Sequence, residues 1–315
     1  MGRGPVSEEA IGEIRRALNG NISLLVAKAA DIVSNWKLYD LLPDMTDAFQ
    51  RFLVNNGKAD KQCTAKTSII NALNDLEYLG DDVYLAGVHY VQMEPVWGGQ
   101  ADTAIDVRCG CAFGLARINY PDVHYVFADL LVDRETPVRV AAVKALAYMG
   151  TPESDVMLRL KVLVGDSEIE VIGECFTALM TIIPKQSLGF VSRYLKHNDL
   201  AIVESAALAI GGSHIPEAFE TLKNCWEENP HPFYRRAVML SIALIRSDDA
   251  FDFLLDVVRN ADTQTAAQAI STLRLYASDR TVERITKAVE DRDDNDLDEK
   301  IMQEFGESVP RIIHE

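Results

Sequence analysis

The stretch Asp133–Gly150, DRETPVRVAAVKALAYMG, reads as a turn followed by one helix. Asp133 is a residue type that can accept a backbone N–H left unsatisfied in a first helical turn. Pro137 sits early in the run, where its fixed φ suits a helix start. Val138, Ala142, Ala145 and Met149 then recur at three- and four-residue spacing and share one face. Two of those four are alanines, so another helix can approach this one closely.

The same pattern recurs on both sides. Polar residues opening an apolar run fall at Asp102, Asp133, Asp166, Asn198, Asn229 and Asn260, with successive gaps of 31, 33, 32, 31 and 31 residues. They introduce DTAIDVRCGCAFGLA, DSEIEVIGECFTALM, NDLAIVESAALAIGG, NPHPFYRRAVMLSIALI and NADTQTAAQAISTLRLY. Shorter amphipathic runs lie between them, such as VHYVFADLLV, LGFVSRYL and AFDFLLDVV. The unit is helix, turn, helix. Neither helix can bury its apolar face alone, so successive units must stack. Upstream, NISLLVAKAADIV and DKQCTAKTSIINALNDLEYLG look like looser copies, at gaps of 39 residues (Asn21 to Asp60) and 42 (Asp60 to Asp102).

A cation follows the junction by six residues in four units: Asp60/Lys66, Asp102/Arg108, Asp133/Arg139 and Asn229/Arg235. The pattern lapses at Ile172, Glu204 and Ala266. This arrangement resembles HEAT repeats, in particular the short HEAT-like units of the phycobilin-lyase type. The resemblance spans roughly residues 100–280, and more loosely 20–90. It implies an all-α, right-handed solenoid of about eight helical hairpins, and a ladder of Asp and Arg residues between neighbouring units. The expected layout is one solenoid over residues 1–290 and an acidic segment over 291–315, a cap or a solvated, poorly ordered tail.

The long second gap has a local cause. After the run ending near Val91 come Gln92-Met-Glu-Pro-Val-Trp-Gly-Gly-Gln-Ala101. Pro95 disfavours helix at Glu94, and Gly98-Gly99 marks a turn. An irregular loop over about 91–101 is therefore expected where two helices should simply turn. Trp97 has two readings here: an anchor for a partner, since tryptophan is enriched among interface hot spots, or a plug packed between repeats. In the first reading Gln92 and Glu94 form a polar rim and Arg108 lies at the loop's return.

The 315 residues carry a net charge of −17. Residues 1–150 hold 14 Lys/Arg against 19 Asp/Glu, and residues 151–315 hold 17 against 29. An acidic surface repels a phosphate backbone, so nucleic acid is disfavoured as a partner. No apolar run reaches the length of a membrane span, and MGRGPVSEEA carries neither a signal-peptide core nor a myristoylation pattern. Five cysteines form no CxxC pair and read as buried, reduced thiols of a cytoplasmic protein.

Catalytic and metal motifs are absent. The six histidines make no HExxH or HxH spacing, and no GxSxG, P-loop or dinucleotide fingerprint occurs. DRDDNDLDEK has Asp296 where a calcium loop needs Gly and Met302 where it needs Glu. The His-Glu pairs of HEAT-type di-iron hydroxylases reduce here to His314-Glu315. No cofactor and no metal are expected.

The function implied is a non-enzymatic protein-binding scaffold with a concave face carrying Arg139, Glu170, Glu174, Glu204 and Arg235. Its acidic middle would suit a partner with a basic segment. The alternative implied by the resemblance is a lyase or chaperone-like enzyme holding a tetrapyrrole or other small ligand against Trp97, Tyr90 and nearby cysteines.

Overall fold

A computed structural model describes residues 7–54, 59–276, 278–290, 292 and 294–306. Eighteen α-helices and one two-stranded ribbon occur among them, an all-α helical-repeat solenoid. The chain forms two compact units, Met1–Met157 and Leu158–Glu315.

In the first unit the helices pair as α1 (Glu8–Leu18) with α2 (Ser23–Trp36), α3 (Leu42–Val54) with α4 (Thr64–Asp75), α5 (Asp82–Gly87) with α6 (Ile105–Arg117), and α7 (Val123–Leu130) with α8 (Thr136–Met149). The second helices stack in order, α2 on α4, α4 on α6 and α6 on α8. The division between units falls within α9 (Pro152–Val164). The second unit contains α10 (Ile169–Ile182), α11 (Pro184–Val191) with α12 (Leu200–Gly212), α13 (Pro216–Glu228) with α14 (Pro232–Leu244), α15 (Asp248–Asn260) with α16 (Thr263–Leu273), and α17 (Asp279–Glu290) with α18 (Asn295–Phe305). There too α10, α12, α14, α16 and α18 stack one on the next.

Small residues set the spacing of these layers. A Cβ added at Gly211 of α12 would stand 2.1 Å from the backbone oxygen of Ser241 in α14. One added at Gly114 of α6 would stand 2.4 Å from the Tyr84 ring. The alanines of the Asp133–Gly150 stretch behave alike: Ala142 and Ala145 are buried beside Val138.

The junction residues are not the N-caps expected of them. Four of the six stand two residues earlier, at Asx turns: Asp102, Asp133, Asp166 and Asn229 each accept the backbone N–H of the residue two further on, at 2.9, 2.8, 2.9 and 3.0 Å. The caps themselves are Ala104, Glu135, Glu168 and His231. A short Asp or Asn side chain closes this turn through its own backbone, which fixes the chain's approach to the helix.

The cation six residues on then reaches back over the turn. Lys66 Nζ lies 2.9 Å from Asp60 Oδ2 with both side chains fully buried. Arg108 Nη1 lies 2.6 Å from Asp102 Oδ2, and its Nε 3.1 Å from Asp133 Oδ2 of the next repeat. That is one rung of a ladder. Where the cation is missing at Ile172, Lys161 of α9 replaces it, 2.7 Å from Asp166.

Two expectations need correction. Residues 91–101 are not an irregular loop but a regular β-hairpin: β1 (Met93–Val96) pairs antiparallel with β2 (Gly99–Asp102). Nor is the acidic end simply solvated. Asp294 caps α18, and Leu297, Ile301 and Phe305 of that helix are buried against α16 and α17. These three apolar residues recur every fourth position among the acids. Asp291, Asp293 and residues 307–315, with His314, lie outside the described residues.

Candidate functional site

The hairpin is the one place among the described residues where the helical pattern gives way to strand. It connects α5 to α6 and turns at Trp97-Gly98. Gly98 takes φ +90°, a conformation in which a side chain would be strained. Pro95 is tolerated because a two-stranded ribbon is all edge.

The tip is bare. Trp97 is 103% exposed, so the plug reading is overturned. Met93 and Val96 are each about half exposed beside it. A ring of that size kept in water forgoes the burial that would stabilise it on the scaffold, about 1.5–3 kcal/mol for a large apolar side chain.

The base is the opposite. Gln92 is buried; its Nε2 donates to the backbone oxygen of Asp60 at 2.8 Å and to Glu94 Oε1 at 2.6 Å. Glu94 Oε1 also accepts from the backbone N–H of Gln62 at 2.6 Å and from Thr103 Oγ1 at 2.9 Å. Asp102 Oδ1 accepts from the Gln92 and Ala104 N–H groups at 3.1 and 2.9 Å. Burial opposes ionisation of Glu94, but the donors from Gln92, Gln62 and Thr103 prevail and hold its carboxyl below the usual range. Burial likewise opposes ionisation of Asp102, and the Ala104 and Gln92 N–H groups with Arg108 outweigh it.

Gln92 and Arg108 are therefore not partner-contact residues in the sense expected. Arg108 is 2% exposed and spends its guanidinium on Asp102, Asp133 and the Tyr90 carbonyl. Glu94, partly buried, is likewise taken up by the hairpin's base. These residues make the hairpin stiff. The segment they grip is itself strained: Gln62 and Cys63, both with Cβ atoms, hold φ of +55° and +51°. Nothing in the sequence signalled that pair.

Of the expected concave-face residues, Glu170 and Glu204 are exposed, and Glu174 and Arg235 half-buried. The Arg235 guanidinium lies 5.0 Å from the Trp226 ring centre. Arg139 is buried and donates to the backbone oxygen of Asp133 at 2.8 Å, so it is withdrawn from any binding face. In the second unit an open depression of about 650 Å³ runs over α12, α14 and α16, lined among others by Glu204, Arg236, Phe233 and Leu240.

Cys63, at the hairpin's base, and Cys109 of α6 are quiet thiols. Burial pushes Cys63 and Cys109 up to about 11, so neither is a thiolate at neutral pH, the form a covalent attachment would need. The Tyr90 hydroxyl donates to Gln92 Oε1 at 2.8 Å. Among the described residues no cluster of His, Cys, Asp and Glu could hold a metal ion, and no helix is long and apolar enough to cross a membrane.

No protein-family model matches the chain, and no curated protein matches it. Among solved structures it is similar to the complex of CpcE and CpcF of phycocyanin lyase from Nostoc sp. PCC7120, at 15% identity and a TM-score of 0.38, over 76% of this chain and 93% of that one. It is similar also to an engineered protein, at 14% identity and a TM-score of 0.37, over 93% of this chain and 87% of that one. Likeness at this level says nothing of activity. What its own helices show is a HEAT-like helical-repeat architecture.

Proposed function

We propose that the chain is a non-enzymatic, cytoplasmic protein-binding scaffold whose anchor is Trp97, presented on a stiff hairpin. The observation that carries this reading is the contrast between the hairpin's two ends. Its base is held by the buried Gln92 amide and by hydrogen bonds to the Glu94 and Asp102 carboxylates, while its tip carries a fully exposed tryptophan flanked by Met93 and Val96. A pre-ordered apolar tip loses little conformational entropy when a partner's pocket closes on it. The exposed Glu170 and Glu204 add negative charge suited to a partner with a basic segment. The free thiols accord with a reducing compartment.

The test is site-specific photo-crosslinking in cells from position 97, with Val54, an exposed residue of α3, as control, followed by capture with Trp97→Ala. A defined adduct from position 97 and its loss in Trp97→Ala, with thermal melting unchanged, are expected. Capture that survives Trp97→Ala would remove the hairpin as the anchor.

A further inference from the structure

The helix that opens the inner stack, α2, carries apolar side chains on two sides. Val26, Ala30 and Val33 face the core and are buried. Ile22 at its cap, Leu25, Ile32 and Trp36 make a second stripe, and these are 40% to 62% exposed. Ser34 marks the side of α2 that meets α4, where its hydroxyl donates to Asp75 Oδ2 at 3.0 Å. At about 100° per residue, Leu25, Ile32 and Trp36 stand on the opposite side. They occupy the place where a preceding inner helix would stack.

A terminal repeat needs a polar outer face to stay in solution. The last helix, α18, has one: Asp296, Asp298, Glu299 and Gln303 face water around Met302. The α2 stripe instead leaves several hundred Å² of apolar surface open, an extent at which a patch marks an interaction site. Charge says which partner fits it. The chain carries −17, yet residues 1–42 hold five Lys/Arg and five Asp/Glu. Two copies repel each other through their acidic surfaces, but not through this neutral end.

We infer that this end of the stack is a homodimer contact, in which α2 packs antiparallel on α2 of a second copy about a two-fold axis. Centred between Ala29 and Ala30, that arrangement sets Leu25 opposite the gap between Ile32 and Trp36. It sets Ile32 opposite the gap between Leu25 and Ala29, so each stripe fills the other's grooves. It also brings Lys28 of each copy opposite Asp31 of the other. Both residues are exposed, and neither has an ion pair among the described residues. A foreign helix could bury the stripe, but the neutral end and this self-matching of opposite charges favour a second copy. The contact stands independently of Trp97.

The experiment is sedimentation equilibrium of the full chain at micromolar to sub-millimolar concentrations. A monomer–dimer equilibrium is expected. Leu25→Glu and Ile32→Glu, each counted twice in a two-fold contact, should weaken it by about a hundredfold while the helical circular dichroism stays unchanged. Leu160→Glu, at an exposed apolar residue of α9, should leave it intact. Lys28→Glu or Asp31→Lys alone turns two ion pairs repulsive and should weaken the dimer by about tenfold; the two together should restore it. A chain that is monomeric throughout, a dimer that survives both α2 glutamates, or one that dissolves with Leu160→Glu overturns the assignment. A monomer that captures an unlike protein through the stripe overturns it too. A double charge variant no better than the single ones overturns the antiparallel pairing.

Discussion

Arg108 and Asp102 stand six residues apart, and their side chains meet at 2.6 Å with almost no access to solvent. Asp102 ends β2 and Arg108 is the fourth residue of α6, so one ion pair serves both the hairpin and the repeat stack. Replacing Arg108 by Met would leave the Asp102 and Asp133 carboxylates without their cation. A loss of about 3–5 kcal/mol is expected, read as a lowered midpoint in urea. A shift under about 1 kcal/mol would mean that the pair is dispensable.

The Lys66–Asp60 pair allows a cleaner version of the same test, since both side chains are fully buried. Lys66→Met alone should destabilise by about 3 kcal/mol or more, because it strands a buried carboxylate. Lys66→Met combined with Asp60→Asn should recover a large part of that loss. If the double variant is no better than the sum of the single ones, the two residues do not act as a pair.

Trp97→Ala should leave stability within about 0.5 kcal/mol of the parent, as expected for a side chain with no contacts to lose. Its fluorescence difference spectrum against the parent should be red-shifted, that of an indole in water. A blue-shifted difference with a fall in melting temperature would mean that the tip packs back onto the protein.

The hairpin's base should respond to acid in a defined window. Glu94 and Asp102 both have folded-state values below their ordinary 4.5 and 3.8. Groups depressed in this way contribute stability that is fully present above the ordinary values and is lost as pH falls through the lower, folded ones. Amide exchange at Gln62 and Ala104, whose N–H groups these carboxylates accept, should therefore show constant opening free energies from pH 7 to 5 and weaken only in stronger acid. Glu94→Gln should mimic part of that loss at neutral pH, by about 1.5 kcal/mol. Protection that fades between pH 7 and 5 would mean that other groups hold the hairpin.

Gly211→Ala should destabilise by about 1–3 kcal/mol, because the atom its Cβ would meet is backbone and cannot rotate aside. Gly212→Ala, with open space around it, is the control and should be neutral or slightly stabilising.

The helices were legible because their signal is carried by burial with a fixed period, as in Val138, Ala142 and Ala145. The turn residues were legible as positions, yet their role was misplaced by two residues. An Asp that closes an Asx turn and an Asp that caps a helix have the same composition and nearly the same place. The hairpin was hidden by Pro95 and the paired glycines, which argue against strand in a wide sheet but not in an isolated ribbon. α18 was hidden by charge: seven acids in Glu290–Glu299 outvoted Leu297, Ile301 and Phe305. At the site, Trp97 was visible as a residue type but its exposure was not. The inward roles of Gln92, Glu94 and Arg108 depend on Asp60, Gln62 and Asp133, far away in sequence. The left-handed pair Gln62-Cys63 depends on tertiary contacts alone.

The four-residue strands of the hairpin span about 13 Å. A partner that grips Trp97 therefore holds a lever of about that length, hinged on nothing. Its load passes through β2 to Asp102, from there to Arg108, and through Arg108 to Asp133 at the head of the next repeat. Force applied at the tip is thus delivered into the stack rather than absorbed by a loop, and a bound partner would acquire a fixed orientation as well as a point of attachment.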